Sequence, residues 1–183
     1  MALYDLDRVT ILVVDDNAYM RTLLLNSLKA LGVGQVKLAS HGGEAIELLK
    51  LMAADPMKAG VMSLDLIYSN WQMSPVDGSM LLRWVRRHKD SPDRFIPFVM
   101  VSGYADRPKV AEARDLGVTE FLAKPFSVEA VAQRLLQVID RPRVFVHTVD
   151  YFGPDRRRQQ LPFRGEDRRK LREGSPGVEV VYE

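Results

Sequence analysis

Val9–Asp16 reads VTILVVDD, an apolar run broken only by one threonine and closed by two aspartates. A run this short, rich in β-branched residues and without alternation, predicts a strand buried on both faces. The period then changes. Ala18–Leu31 places Leu24, Leu25, Leu28 and Leu31 at three-and-four spacing, and Gly32 stops the pattern, so a helix with one apolar stripe is predicted. Asp16 or Asn17 stands where that helix needs a cap.

The alternation continues along the chain. Gln35–Ala39 (QVKLA), Asp65–Asn70 (DLIYSN), Pro97–Ser102 (PFVMVS) and Val118–Leu122 are predicted strands, and Gly43–Ala54, Ser79–His88, Pro108–Leu116 and Val128–Asp140 are predicted helices. Five βα units call for an α/β fold, a doubly wound five-stranded parallel sheet with right-handed crossovers. Ligands of such sheets bind beyond the carboxyl ends of the strands.

Composition sets the outer bounds. With 183 residues, 46% hydrophobic and 27% charged, the chain suits one globular domain plus an appendage. The absence of cysteine excludes a disulfide framework and a thiolate metal site, and permits a reducing compartment. MALYDLDRVT lacks a basic region followed by a long apolar stretch, and no segment approaches bilayer length, so a cytoplasmic location is expected. His41, His88 and His147 are scattered, without partners at metal-ligand spacing, and are given no role.

The strand ends carry a set of polar residues. Strand one ends in Asp15-Asp16, strand three in Asn70 followed by WQMSPVDG, strand four in Ser102-Gly103 and strand five in Lys124-Pro125. Singly these mean little: an acid pair is often a helix cap, and Lys-Pro begins a turn. Jointly they decide. Over roughly residues 7–140 the chain resembles the receiver domains of two-component response regulators, the CheY-like, flavodoxin-like fold. The resemblance implies that the acid pair and an aspartate ending strand three hold Mg²⁺, and that this aspartate takes a phosphoryl group as nucleophile. It also implies that Lys124 pairs with the phosphoryl charge, that Ser102 hydrogen-bonds it, and that Phe121 packs inward or outward in response.

One departure falls on the phosphoacceptor position. Aligning Trp71, Met73, Asp77 and Gly78 with the family pattern puts Asn70 where the aspartate belongs. A carboxamide is neutral and a poor nucleophile, and its presence removes one of three negative charges, so only a weak Mg²⁺ site at Asp15 and Asp16 is expected. Two origins fit: a pseudo-receiver that has dropped phosphorylation, or an Asp→Asn change that silences a working site. Either way residue 70 is expected not to be phosphorylated. Trp71 is read as half-exposed loop packing and the methionines as core filler.

Residues 1–140 are thus read as a receiver-like domain, 141–150 as an extended connector with Val144, Val146 and Val149 on one side, and 151–183 as an arginine-rich tail. Val178–Tyr182, in the last stretch, is able to pair with an exposed strand edge. From Arg141 onward lie 10 of the 26 Lys+Arg and 7 of the 24 Asp+Glu, so the body is near neutral and the tail basic. All but one of those tail cations are arginine, the side chain that offers a planar fork to phosphate or a guanine edge.

GPDRRRQQLPFRGEDRRK, Gly153–Lys170, contains Gly-x-Asp-Arg-Arg twice. Arginine bridges guanine O6 and N7, a carboxylate accepts from the opposite base edge, and a further arginine stacks on the purine or clamps phosphate. Two such units match two guanines and two phosphates, the inventory of cyclic di-GMP. The expected contacts are Arg156, Arg157, Arg168 and Arg169, with Asp155 and Asp167 on base edges and Arg158, Arg164 and Tyr151 completing the site. Arg164–Asp167 also fits Arg-x-x-Asp, and Arg164 to Arg168 fits Arg-x-x-x-Arg. Seven arginines between Arg156 and Arg172 generate such matches easily, so neither is weighed.

Nearly the whole chain, including the stretch beginning YFGPDRRR, resembles the Cle group of CheY-like cyclic di-GMP effectors. That resemblance implies a non-enzymatic protein whose tail is ordered by the ligand and docks on a protein partner, the flagellar motor switch, to control motility or attachment. Two other classes remain open at this point: an arginine-rich RNA-binding segment, and a phosphorylation-independent adaptor whose tail is incidental. Asp155, Glu166 and Asp167 weaken any simple polyanion arm.

Overall fold

The computed structural model describes residues 5–103, 107–156 and 175–181. Strands β1 (Thr10–Val14), β2 (Gln35–Ala39), β3 (Leu66–Asn70), β4 (Phe98–Ser102) and β5 (Glu120–Ala123) form one parallel sheet in the order β2-β1-β3-β4-β5. Alternation along β1 explains why the run is continuously apolar. Ile11 and Val13 point to one covered face and Leu12 and Val14 to the other, and all four are fully buried.

Helices α1 (Ala18–Ala30) and α6 (Val128–Asp140) cover the first face with Leu24, Leu28, Val131 and Leu135. Helices α2 (Gly42–Ala54), α4 (Gly78–Arg87) and α5 (Arg107–Asp115) cover the second with Leu49, Leu81, Leu82, Val85 and Ala113. Asn17 caps α1, its Oδ1 accepting from the N–H groups of Tyr19 and Met20. The sequence reading left His41 without a role; its Nδ1 caps α2 by accepting from Gly43 and Glu44. A short α3 (Pro56–Ala59) was not expected: Asp55 caps it and Gly60, in the left-handed region at φ 63°, ends it after one turn.

Strand five begins two residues later than expected. Pairing with β4 runs from Val99↔Glu120, while the Thr119 hydroxyl accepts the Phe98 N–H at 3.0 Å and ties down the approach. Beyond α6 the chain builds a second sheet. Strands β6 (Phe145–His147), β7 (Phe152–Pro154) and β8 (Glu179–Val181) are antiparallel in the order β7-β6-β8. Part of the connector is therefore a strand, and the terminal valines do pair with an edge, that of β6. Phe145 is the buried residue of the connector, and Val149, expected on one side with Val144 and Val146, is 95% exposed beyond the turn at Thr148, which donates its N–H to the Tyr151 carbonyl.

Candidate functional site

The carboxyl ends of β1, β3, β4 and β5 meet in one polar cluster. Asp15 is 0% exposed, and its Oδ2 accepts from Lys124 Nζ at 2.6 Å while Oδ1 accepts the Asn17 N–H at 2.9 Å. Asn70 lies between the charges. Its Oδ1 accepts from Lys124 at 3.1 Å, and its Nδ2 donates to Asp16 Oδ1 at 3.2 Å and to the Gln72 carbonyl at 2.6 Å. The partners fix the orientation of the amide, since an ammonium only donates and a carboxylate only accepts.

The loop after Asn70 closes tightly over it. Gly78 donates its N–H to the Trp71 carbonyl at 2.8 Å, and a Cβ at residue 78 would run into the Asn70 carbonyl, so glycine is required there. Trp71 is only 5% exposed, correcting the half-exposed reading: it joins the core beside α4 and carries Lys109 Nζ 4.1 Å above its ring. Ser102 is buried at the end of β4, opposite Ala123, with its carbonyl accepting the Lys124 N–H at 2.8 Å. Phe121, part-buried on β5, packs toward the core under α4 and α5.

These residues fit Mg²⁺ poorly. Both Asp15 oxygens already accept hydrogen bonds, and an amide N–H₂ faces Asp16 where a hard cation needs oxygen. Among the described residues no group of three or more His, Cys, Asp or Glu side chains is placed to hold a metal.

Residues 11–136 match the family model of the response regulator receiver domain. The chain belongs to that family. Chemotaxis protein CheY1 of Helicobacter pylori is 31% identical to this receiver over 129 residues, covering 70% of this chain and 95% of the relative. The solved chemotaxis protein CheY4 of Vibrio cholerae is 28% identical with TM-score 0.58, covering 71% of this chain and 98% of that one. The receiver domain of the histidine kinase CKI1 from Arabidopsis thaliana, complexed with Mg²⁺ and BeF₃⁻, is likewise 28% identical, with TM-score 0.59 over 72% of this chain and 91% of that one.

The second sheet is bolted to the receiver by a residue the sequence reading passed over. Arg86 on α4 is 1% exposed; its Nε donates to the Gly117 carbonyl at 3.1 Å and its Nη1 to the carbonyls of Arg94 and Ile96 at 2.8 and 2.7 Å. The guanidinium lies 5.2 Å from the Phe145 ring centre. Phe95, Phe145 and Phe152 meet with centroids 5.1 to 5.6 Å apart, and Arg94 covers Phe152 at 3.5 Å. Backbones touch here too: Gly117 has φ +93°, and a Cβ on Gly153 would come within 2.7 Å of Gly117 Cα.

Three expected tail contacts lie in the described residues. Tyr151 donates its hydroxyl to the Pro154 carbonyl at 2.7 Å and presents its ring to Arg156, whose Cζ is 4.3 Å from the centroid. Arg156 Nη1 is 3.1 Å from Asp115 Oδ1 on α5. Asp155 donates its N–H to the Val144 carbonyl at 2.7 Å, and its own carbonyl accepts from Arg143 Nη2. Arg157, Arg158, Arg164, Asp167, Arg168 and Arg169 lie outside the described residues. Among the described residues no helix is long and apolar enough to cross a membrane.

Proposed function

We propose that this chain is a non-enzymatic effector in which cyclic di-GMP, bound by the arginine-rich tail, replaces the phosphoryl group as the signal a receiver reads. The observation that carries this reading is the doubled Gly-x-Asp-Arg-Arg of Gly153–Arg169, which supplies two base-edge acids and paired guanidinium forks for a ligand with two guanines and two phosphates. The pocket supports it from the other side. Asn70 stands at the phosphoacceptor position as a neutral amide tied to Lys124 and Asp16, unable to form an acyl phosphate and leaving little room for Mg²⁺.

The root of the tail is joined to the receiver through Arg156, Asp115 and Tyr151, so a ligand ordering the tail acts directly on the α5 side of the domain. The output is docking on a protein partner, the flagellar motor switch, inside the cytoplasm. Support for that partner comes from the chemotaxis proteins to which the chain is similar.

Calorimetric titration tests the reading. The full chain binds cyclic di-GMP, and Asp155→Ala with Asp167→Ala weakens it by about tenfold or more, as expected for losing charge-assisted base contacts. Affinity unchanged in that double variant rejects the two-half-site assignment.

A further inference from the structure

Among the described residues strand β5 is the sheet edge beyond β4, so one side of its backbone has no strand partner there. Arginines cover that edge. Arg134 on α6 donates Nε to the Phe121 carbonyl at 2.9 Å, and Arg143, after α6, donates Nη1 to the Thr119 carbonyl at 3.3 Å. Arg114 reaches in from α5 and Arg156 from the start of the tail. Together they line a groove of about 500 Å³ between α5, β5 and α6, floored by Val110, Val118, Phe121 and Ala123.

The groove has the size of a small-ligand pocket, commonly about 300–1,000 Å³. Its chemistry is specific: four planar cations surround an apolar floor that includes one aromatic ring, and Glu120 is the acid in the lining. Such a site suits a ligand with a flat face and an anionic edge, as a purine nucleotide has. Arg114 is loosely held, 53% exposed and 3.8 Å from Asp115. Arg134 keeps Nη2 without a hydrogen bond among the described residues, its Nε and Nη1 being held by Phe121 and Gln137. Both guanidinium groups therefore have donors to offer a phosphate. The first arginine of the sequence repeat, Arg156, stands in the same lining, so the start of the tail and the groove share a wall.

We infer that the α5–β5–α6 groove is the receiver's half of the cyclic di-GMP site, with Arg114 and Arg134 on phosphate and Phe121 beneath a base; this rests on the function proposed above. The body of the domain then contributes to affinity, and the ligand bridges tail and receiver across the β5 edge.

Calorimetry with cyclic di-GMP on the full chain separates the alternatives. Arg114→Glu and Arg134→Gln each weaken binding by about tenfold or more, while Arg83→Glu, an equal charge reversal on the exposed side of α4, leaves it near wild type. The Arg114 side chain is 53% exposed, so its variant remains informative even where Arg134→Gln loses fold, which circular dichroism detects. Wild-type affinity in Arg114→Glu, alongside loss in Asp155→Ala/Asp167→Ala, overturns the groove and leaves the tail reading standing. Equal weakening by Arg83→Glu also overturns it, as bulk attraction only. A wild-type chain that does not bind overturns both.

Discussion

The Asn70 amide donates to the Asp16 carboxylate across 3.2 Å, in the position where an aspartate would have set one negative charge against another. With Lys124 donating to its Oδ1 and the Gln72 carbonyl accepting from its Nδ2, both ends of the amide are held.

Asn70→Asp reverses that arrangement. The new carboxylate faces Asp16, so the metal-free protein loses about 1 kcal/mol or more, and millimolar Mg²⁺ restores it. Thermal unfolding with and without Mg²⁺ reads the difference: wild type is expected to respond weakly and the variant strongly. Intact-mass spectrometry after incubation with acetyl phosphate and Mg²⁺ is expected to show an adduct on the variant and none on the wild type at residue 70.

Lys124 neutralises a carboxylate that has no solvent access. Lys124→Met strands Asp15 and removes the partner of Asn70 Oδ1, for a loss of about 3–5 kcal/mol, the range for breaking one side of a buried pair. Urea denaturation checks it. A loss below 1 kcal/mol, on the same scale, would mean that Asp15 is compensated elsewhere.

Arg86 holds three backbone carbonyls and the face of Phe145. Arg86→Met leaves those carbonyls buried without donors, at about 1–3 kcal/mol each where no water enters. The expected local result is faster amide exchange at Phe145–His147 and Phe152–Gly153 than in β1 or β3, because β6 and β7 lose their attachment to the domain. Uniform acceleration across the molecule would show Arg86 to be a general core residue and not the bolt of the second sheet.

Burial pushes the Tyr151 hydroxyl above its ordinary value of 10.0, with Arg156 opposing the shift. A raised folded value means that the contribution of the phenol is complete below pH 10.0 and is lost as pH rises through the higher folded value. Tyr151→Phe forfeits the bond to the Pro154 carbonyl, about 1 kcal/mol at neutral pH. The gap between variant and wild type should narrow in strong alkali, a course that urea unfolding at several pH values follows.

The parallel sheet was legible chiefly from its central strands, because β1, β3 and β4 are covered on both faces and so read as largely apolar runs. Asp15, Asp16, Asn70, Ser102 and Lys124 were legible for a related reason: each terminates a strand, and strand ends converge. Arg86 was not, because an arginine four residues beyond Leu82 looks like a helix surfacing, and only the carbonyls of Arg94, Ile96 and Gly117 reveal why it stays inside. Val149 was misplaced because alternation assumes a straight strand, and the turn at Thr148 ends β6 at His147. Arg134 and Arg143 gave no local signal, since their meeting at the β5 edge depends on α6 packing beside it.

The central claim is that a small guanine dinucleotide, and not phosphorylation, is the signal. Titrating the full chain with cyclic di-GMP beside cyclic di-AMP, GTP and GMP, with and without Mg²⁺ and acetyl phosphate, tests it most directly. Saturable binding of cyclic di-GMP at least about tenfold tighter than the others, unchanged by Mg²⁺ and acetyl phosphate, is the predicted result. No heat of binding, or equal affinity for unrelated nucleotides, would contradict it.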